Sequence, residues 1–586
     1  MQLSQLPATA MQYPLTERIG APHLFVGRVH EMQDFHKWIE TMPRLLAPSR
    51  ALLARRKSGK TAFVQRLFNQ LWSANGQVIP FYFSVPETEL WYPTFALLYY
   101  RTFATQYISF LERDAQLVRS QLSMEQIRAY GASHGVTSLV EDVDSILHDE
   151  KEGHMGLMWD RVYRAPHRTA SIYDQRILVM IDEFQYLATN IKANADLSGE
   201  PVESMPGSYH EVSESRVAPL LLTGSYVGWM REIMRKYLEP GRIDVFDFSP
   251  YLTEEEGLLA VYTYAEALQV PITNETAVQI NTLCQADPFF ISCVMNSRYP
   301  QRDLTTTQGV IETVNHTIAN RRSFFSRTWA EYIEKTVKRI NDHYGKHILL
   351  HMSKHNDRDW TARELKQVLQ LKEDEITIQN KLLSLVKGDL LEQGDADIDF
   401  RGLQDGTLNL VLRHRFEKEI LHHEPDMIGD FNAEVATLTK ENQTLRGKLN
   451  HIKGQLTEVQ FANTLRSRKR FRLADFFAGA NDDQPLNLLD VQTRVMLQRP
   501  DGGKKEVDIV AQTSDERVLL VDVKNQQEKP NHETVEDFLE KAALYQSQNP
   551  GKTLLLAFLS LGGFTEKALE LCRHHGIAWT TELQYF

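Results

Sequence analysis

What the 586-residue chain lacks narrows the reading first. It has only three cysteines, Cys284, Cys293 and Cys572, and they form neither a CxxC pair nor a zinc spacing. A disulfide framework and a zinc ribbon are therefore excluded, and a reducing, cytoplasmic setting is the expectation. No apolar run approaches the roughly 20 residues of a membrane span, so no membrane association is expected. The N-terminus has no basic start followed by a long apolar core, which argues against a secretion signal. Twenty histidines are scattered, including His422-His423 and His574-His575, and no HExxH occurs. No internal repeat or low-complexity tract is evident. The net charge of −12 argues against coating nucleic acid by bulk electrostatics, though it leaves room for a local basic groove. Gly131-Ala-Ser133-His-Gly135 spells GxSxG, but a helical pattern precedes it where a nucleophile elbow needs a buried strand. It reads as a loop between helices, and metal-free nucleophilic hydrolysis has little support.

What is present is ordinary folded-protein composition, 42% apolar and 24% charged, in a chain long enough for three or four domains. Residues 1–20 read as an extended lead-in. Residues 21–250 alternate short apolar strands with helical patterns, which predicts a mainly parallel sheet covered by helices. The strands are expected at Arg50–Ala54, Val78–Ser84, Ile177–Ile181, Ala218–Thr223 and Val245–Phe248. A helical insertion fills about 88–170, rich in aromatics such as Trp91, Tyr92, Phe95, Tyr99 and Tyr100. It is either a packed subdomain or a partner-docking surface. Residues 191–214, polar with Gly and Pro, read as an exposed loop. Residues 251–344 fit a helical lid. Three helical patterns at 347–355, 361–371 and 372–386 then precede a hairpin-like stretch at 389–414.

A heptad seam spans 430–460, with Val435, Asn442, Leu449 and Leu456 at a and Leu438, Leu445, Ile452 and Val459 at d. Asn at one a position is a device for fixing the register of a parallel dimer. The alternatives are a dimerising stalk and a single amphipathic helix packed on its own domain. The last domain, about 454–586, is expected to run helix, three strands, helix, strand, helix, strand.

Two stretches carry phosphate chemistry. Ala54-Arg-Arg-Lys-Ser-Gly59-Lys60-Thr61 follows a strand and opens a helix. There a tight turn aims backbone N–H groups at phosphates, and the helix N-terminus adds partial positive charge. Ser58, Gly59 and Ala62 belong to the cradle, Lys60 reaches the β/γ-phosphates, and the Thr61 hydroxyl binds Mg²⁺. Downstream, Ile177–Ile181 is a buried strand ending in Asp182, suited to hold Mg²⁺, and Glu183, suited to polarise the attacking water. The expected cofactors are ATP and Mg²⁺.

The second stretch is Glu506-Val-Asp508 followed by Val521-Asp522-Val-Lys524. Side chains at i and i+2 share a strand face, so Asp522 and Lys524 point at one place, and Asp508 on the preceding strand adds a carboxylate. Hard oxygen ligands of this kind suit Mg²⁺, with Mn²⁺ an alternative. Lys524 orients a nucleophile or stabilises charge on a phosphate, and Glu506 is a weaker ligand candidate. Arg466, Arg468, Lys469, Arg470 and Arg472 form a basic run placed to hold a nucleic-acid backbone. Arg321, Arg322 and Arg327, interleaved with Phe324 and Phe325, form a weaker second basic cluster, for which a helix anchored to the lid is the favoured reading.

The 20–425 region resembles the archaeal-type, STAND-branch ATPases of the AAA-like group. Phe25-Val-Gly27-Arg28 with Glu31 looks like that family's opening box beside the adenine. Arg56 matches the basic residue of its phosphate loop, and Leu220-Leu-Leu-Thr223-Gly-Ser225 its polar sensor strand. Arg242 matches its arginine that touches the γ-phosphate, and Ala286-Asp287-Pro288 stands where Gly-x-Pro is usual. Residues 345–425 resemble a winged helix, serving either as a DNA reader or as a spacer. Ala54 departs from the family's glycine and fits the loop only if its φ stays negative. The last 130 or so residues resemble the PD-(D/E)xK, restriction-endonuclease-like fold. That resemblance adds Glu458, on the first helix near Gly454, as a further catalytic and metal-binding carboxylate, and Gln546 as an extra.

These resemblances imply an ATP-regulated, metal-dependent nuclease acting on DNA, oligomeric through the stalk or in a higher assembly. A role in defence against foreign DNA and an activating partner protein are further implications. The alternatives are a signalling or transcription-regulating STAND ATPase whose last domain binds without cutting, and a translocating ATPase for DNA processing or transposition.

Overall fold

The computed structural model describes residues 11–202, 204–238, 241–340, 344–394, 396, 398–403, 405–417, 420, 428–429, 431–432, 435, 457–458, 461–462, 464–466, 468, 470–524 and 529–582. The chain divides into two compact units, chiefly Gln12–Thr437 and Leu438–Phe586. Of the heptad seam only Val435, which is buried, lies among the described residues. Leu438, Asn442, Leu445, Leu449, Ile452, Leu456 and Val459 lie outside them, as does Lys469.

The first unit is built on a five-stranded sheet ordered Val78–Ser84, Arg176–Asp182, Leu220–Gly224, Ser49–Leu53, Ile243–Asp247. Every pairing in it is parallel. The stretch Ile177–Ile181 is fully buried, as an apolar run covered on both faces must be. The register pairs Ser84 with Asp182, Ile181 with Leu222, and Leu53 with both Gly224 and Asp247. The carboxyl ends of the strands are thereby level, the place where open parallel sheets gather their polar groups.

Between the second and third strands of the chain lie helices Tyr92–Glu112, Met124–His134, Thr137–Glu152 and Met155–Ile172. Their aromatics are packed: Phe95, Tyr99, Tyr100 and Phe103 are fully buried in the same core as the sheet. Two sequence expectations are corrected here. The GxSxG letters fall on the last turn of the helix Met124–His134 and its Gly135 cap, not on a loop. The 191–214 stretch is not an exposed loop throughout. Ile191–Lys192 pairs with Leu90–Trp91, and Tyr209 is buried against Trp159, Tyr163 and Phe184. Its polar composition hides a few large apolar anchors.

Helices Glu254–Ala267, Asn274–Leu283, Pro288–Met295 and Thr307–Ala319 follow, then the long helix Phe324–Ile340. Phe325 on that helix stacks on Phe290 at 4.3 Å, so the basic-aromatic stretch around Arg321–Arg327 anchors it to the preceding helices. Next come Gly345–Lys354, Ala362–Val368 and Glu375–Lys387, with a small antiparallel sheet of Asp359–Thr361, Asp399–Gly402 and Leu391–Gln393. The expected hairpin over 389–414 ends at Gly402. Gly406–Phe416 is a helix, because the Asp405 carboxylate accepts from Leu408 N–H and caps it.

The second unit carries a six-stranded sheet in chain order: Arg470–Phe471, Leu486–Gln498, Lys504–Thr513, Arg517–Lys524, Thr553–Ser560, Ala578–Thr580. The first three pairings are antiparallel and the last two are parallel. Both faces are covered. Ile509, Ala511, Leu519 and Val521 pack with Phe461, Phe476 and Phe477. Val510, Val518 and Leu520 pack with Val535, Phe538 and Tyr545 of the helix His532–Gln548.

Candidate functional site

Between the strand Ser49–Leu53 and the helix Lys60–Ala74 the chain makes a tight loop with two left-handed residues, Lys57 (φ 66°) and Gly59 (φ 87°). Gly59 is needed there because side-chain-bearing residues avoid that conformation. Ala54 is buried and outside the left-handed region, so replacing the usual glycine costs no strain. A tight loop that runs into a helix N-terminus is the arrangement that turns backbone N–H groups toward an anion. The Ser58 hydroxyl is buried in that loop without a hydrogen-bond partner, as expected of a group whose partner is a bound phosphate.

Facing this loop, the ends of two other strands supply carboxylates and hydroxyls. The Thr61 hydroxyl donates to Asp182 Oδ2 at 2.8 Å and the Tyr82 hydroxyl to the same oxygen at 3.1 Å, while Thr223 donates to Oδ1. Asp182 is fully buried, yet its partners are neutral and exchangeable. Lys60 Nζ donates to Ser225 Oγ at 3.2 Å and stands 3.9 Å from Glu183. Ser225 in turn donates to Glu183 Oε1 at 2.6 Å, and Gln185 holds Oε2. Glu183 itself has a left-handed backbone (φ 57°), a strain that active sites retain when it aims a side chain. Thr61, Asp182, Lys60, Ser225 and Glu183 therefore form one connected network. The hydroxyl and carboxylate oxygens of Thr61 and Asp182 fit a nucleotide-borne Mg²⁺.

The residues of the opening box hold the loop from behind. Gly27 has φ 75°, and a Cβ there would meet Leu252 Cδ2 at 2.9 Å. Arg28 is buried over the Phe248 ring at 4.2 Å and donates to Ser58 O, Tyr251 O and Glu31. Arg56 is half-buried. Burial works to lower its pKa, and the pull of Tyr226 and Glu87 raises it above the ordinary value. Arg242 pairs with Glu214 at 2.8 Å. Ala286, in the usual glycine place, adopts φ 53°.

Sequence reasoning missed Arg55. It is buried, pairs with Asp287 at 2.6 Å and with Asp405, and lies over the Trp329 ring at 4.8 Å. Burial alone would lower its pKa, but the two carboxylates outweigh that and raise it. Asp287 lies 232 residues along the chain, and nothing local to the loop marks the pairing. Asp389, also missed, accepts from Val227 N–H and Gly228 N–H, both at 2.7 Å, capping the helix that follows Ser225.

In the second unit, Asp508 and Asp522 lie one step beyond the cross-strand pair Ile509–Val521. Lys524 Nζ is 2.5 Å from Asp522 and 3.7 Å from Asp508. Asp508 Oδ2 accepts from Val523 N–H at 2.7 Å. Glu458 is buried, and Arg494 spans it at 3.1 Å and Glu506 at 3.5 Å. Burial, then the negative charge of Asp508, pushes the Glu458 carboxyl up to about 7. Burial, then Asp522, pushes Asp508 up to about 6. Burial would lower Lys524, but Asp522 and Asp508 raise it above its ordinary value. These mutual effects place all four groups in one electrostatic field.

Lys541 was not foreseen. Its Nζ donates to Asp522 Oδ1 at 2.8 Å. The signal was available: Val535, Phe538, Lys541, Ala542 and Tyr545 are the buried residues of its helix, so a lysine sits on the apolar face. Gln546, the suggested extra, instead donates to Asn549 O and Lys552 O and closes the helix end.

Among the described residues, no three His, Cys, Asp or Glu side chains stand together as an ion cage. The ion partners are Arg494 for Glu458, and Lys524 and Lys541 for Asp522, with Lys524 also 3.7 Å from Asp508. The carboxylates still suit a hard cation, since all are oxygen donors drawn to positive charge. In the basic run Arg466, Arg468, Arg470 and Arg472 are all exposed. The Arg466 guanidinium donates to Val491 O at 2.6 Å, and Arg468 lies over the Phe476 ring at 5.6 Å.

No protein-family model matches the chain, and neither does any curated protein. Among solved structures, the chain is similar to a Walker-type ATPase of Pyrococcus abyssi at 12% identity, with a TM-score of 0.45, covering 68% of this chain and 98% of that one. It is similar to the ADP form of the ORC2 protein of Aeropyrum pernix at 14% identity, with a TM-score of 0.36, covering 68% and 96%. It is similar to the RuvB Holliday junction branch migration motor of Thermotoga maritima at 12% identity, with a TM-score of 0.28, covering 71% and 100%. Likenesses this distant say nothing of what this chain binds or does. No described helix is long and apolar enough to cross a membrane.

Proposed function

We propose that this chain is an ATP-regulated, Mg²⁺-dependent nuclease acting on DNA. The first unit would be a STAND-like P-loop ATPase with a winged helix at 345–425, and the last domain a PD-(D/E)xK nuclease. The observation that carries the proposal is the convergence of Asp508, Asp522 and Lys524 at adjoining strand ends, in a chain that also holds the Lys60–Ser225–Glu183 network.

At the phosphate loop, Lys60 would draw the β/γ-phosphates, Thr61 and Asp182 would hold Mg²⁺, and Glu183 would orient the attacking water. Ser225 would report the state of Lys60 and Glu183 to the helix it precedes. In the last domain, Asp508, Asp522 and Glu458 would hold the divalent ion, Mg²⁺ or Mn²⁺. A bound ion supplies charge neutralisation of the scissile phosphate and a lower pKa for water. Lys524 places an ammonium where negative charge grows. Arg470 and Arg472 would hold the backbone of the duplex.

The wider proposal is a cytoplasmic, homo-oligomeric protein, paired through 430–460, that awaits an activating partner and serves in defence against foreign DNA. Plasmid incubated with Mg²⁺ should be cut by the wild type and not by Asp522→Asn, while both hydrolyse ATP alike. Equal cutting by both proteins would refute the assignment.

One observation favours a second reading, in which the last domain docks on DNA without cutting. Asp522 already has an ammonium on each oxygen. That reading expects DNA binding indifferent to Asp522→Asn and no cutting with any divalent ion.

A further inference from the structure

The strand Leu486–Gln498 contains an anomaly that the proposed chemistry does not use. Arg494, in its interior, has a left-handed backbone with φ 59°. L-residues with side chains avoid this conformation, most of all inside a strand. An inserted bulge residue is the usual cause, but none is present. Thr493 pairs with Ile509 and Val495 with Val507, two steps on each strand, and the register shift in this ladder lies at Leu488/Asp490. The register is therefore the same on either side, but the Arg494–Asp508 step itself drops out of the ladder, and the distortion redirects the Arg494 side chain. It goes to the carboxylates: Nε stands 3.1 Å from Glu458 and 3.5 Å from Glu506.

Position 494 is opposite Asp508 in this register, so the guanidinium enters the site from the strand beside the Asp508–Lys524 pair. Glu458, which a divalent ion would claim, is thus already served by a cation fixed to the chain, with Glu506 on the same guanidinium. A guanidinium is also the side chain whose fork matches two phosphate oxygens. When the ion takes the carboxylates, that fork is released within reach of the substrate.

We infer that Arg494 is a phosphate-binding residue of the nuclease site, held on Glu458 and Glu506 until a divalent ion displaces it onto the phosphodiester. This rests on the reading of the last domain as a nuclease. The chemical class of its ligand is the phosphate of a nucleic-acid backbone.

The test uses nucleotide-free full-length protein. Arg494→Gly removes the guanidinium and relieves the left-handed backbone. Arg494→Lys keeps the charge without the fork. Mn²⁺ binding by calorimetry should tighten at least about threefold in Arg494→Gly, because a half-exposed ion pair competes only modestly. Cutting at saturating Mn²⁺ should fall about 10²-fold in Arg494→Gly, the scale expected for losing one charge-stabilising donor. Arg494→Lys should bind Mn²⁺ like the wild type and cut at an intermediate rate. Unchanged or weaker Mn²⁺ binding in Arg494→Gly would overturn the inference, as would wild-type cutting at saturating ion. Failure of the underlying reading looks different: Mn²⁺ binding by the wild type would then be indifferent to Asp522→Asn.

Discussion

At the phosphate loop Asp182 is held by three hydroxyls, those of Thr61, Tyr82 and Thr223, whereas in the last domain Asp522 is held by two ammonium groups, Lys524 and Lys541. Both carboxylates are almost fully buried. Neutral hydroxyls satisfy a carboxylate without cancelling its charge, so the first site keeps a net pull on a cation that arrives with a nucleotide. Tethered ammonium groups offset the charge of Asp522 before anything binds. The first arrangement suits a ligand that brings its own ion. The second suits an ion that must displace part of the protein, which makes occupancy a point of control.

The sharpest way to break this comparison is to remove a cation from the first unit that is buried for structure alone. Arg55→Ala would strand the fully buried Asp287 and should cost about 3–5 kcal/mol in urea unfolding of the first unit. A loss below about 1 kcal/mol would mean that the pair is not held as described. Next, Lys524→Ala should lower DNA cutting by about 10²–10³-fold while leaving ATP hydrolysis unchanged, measured side by side on one preparation.

The third concerns Asp389. Burial raises its carboxyl from 3.8 to about 6, with Gly228 N–H, Val227 N–H, the Tyr332 hydroxyl and Arg231 pulling the other way. A raised acid binds its proton more tightly folded than unfolded in that window. Its contribution is complete below about pH 4 and is lost as pH rises through 6. The stability gap between wild type and Asp389→Asn should therefore narrow by about 3 kcal/mol between pH 4 and 7. A gap that is flat with pH would contradict it. The smallest effect is at the surface. Arg472→Ala should reduce the slope of log affinity for DNA against log salt by about one.

How much could be read from the sequence follows from how local each cause is. The strand Arg176–Asp182 and the helix after Gly59 announce themselves in consecutive residues, and the expected strand ends lie within a few residues of those found. Asp522 and Lys524 share a face by strand period alone. The helix Gly406–Phe416 was misread although its Asp405 cap was visible, because the preceding hairpin pattern was carried too far. Arg55 and Asp389 were out of reach, since their partners come from distant segments and their neighbours in sequence are unremarkable. Lys541 was half legible, a charge on an apolar helix face. Arg494 was not legible at all, because a left-handed residue inside a strand leaves no mark in composition.

The account's central claim is that nucleotide at the phosphate loop governs cutting in the last domain. The most direct test is plasmid cleavage with Mg²⁺ or Mn²⁺, with and without ATP, by the wild type, Lys60→Ala and Lys524→Ala. The account expects cutting by Lys524→Ala to fall about 10²–10³-fold and an ATP response in the wild type that disappears in Lys60→Ala. Cutting that responds to ATP equally in the wild type and Lys60→Ala would contradict it.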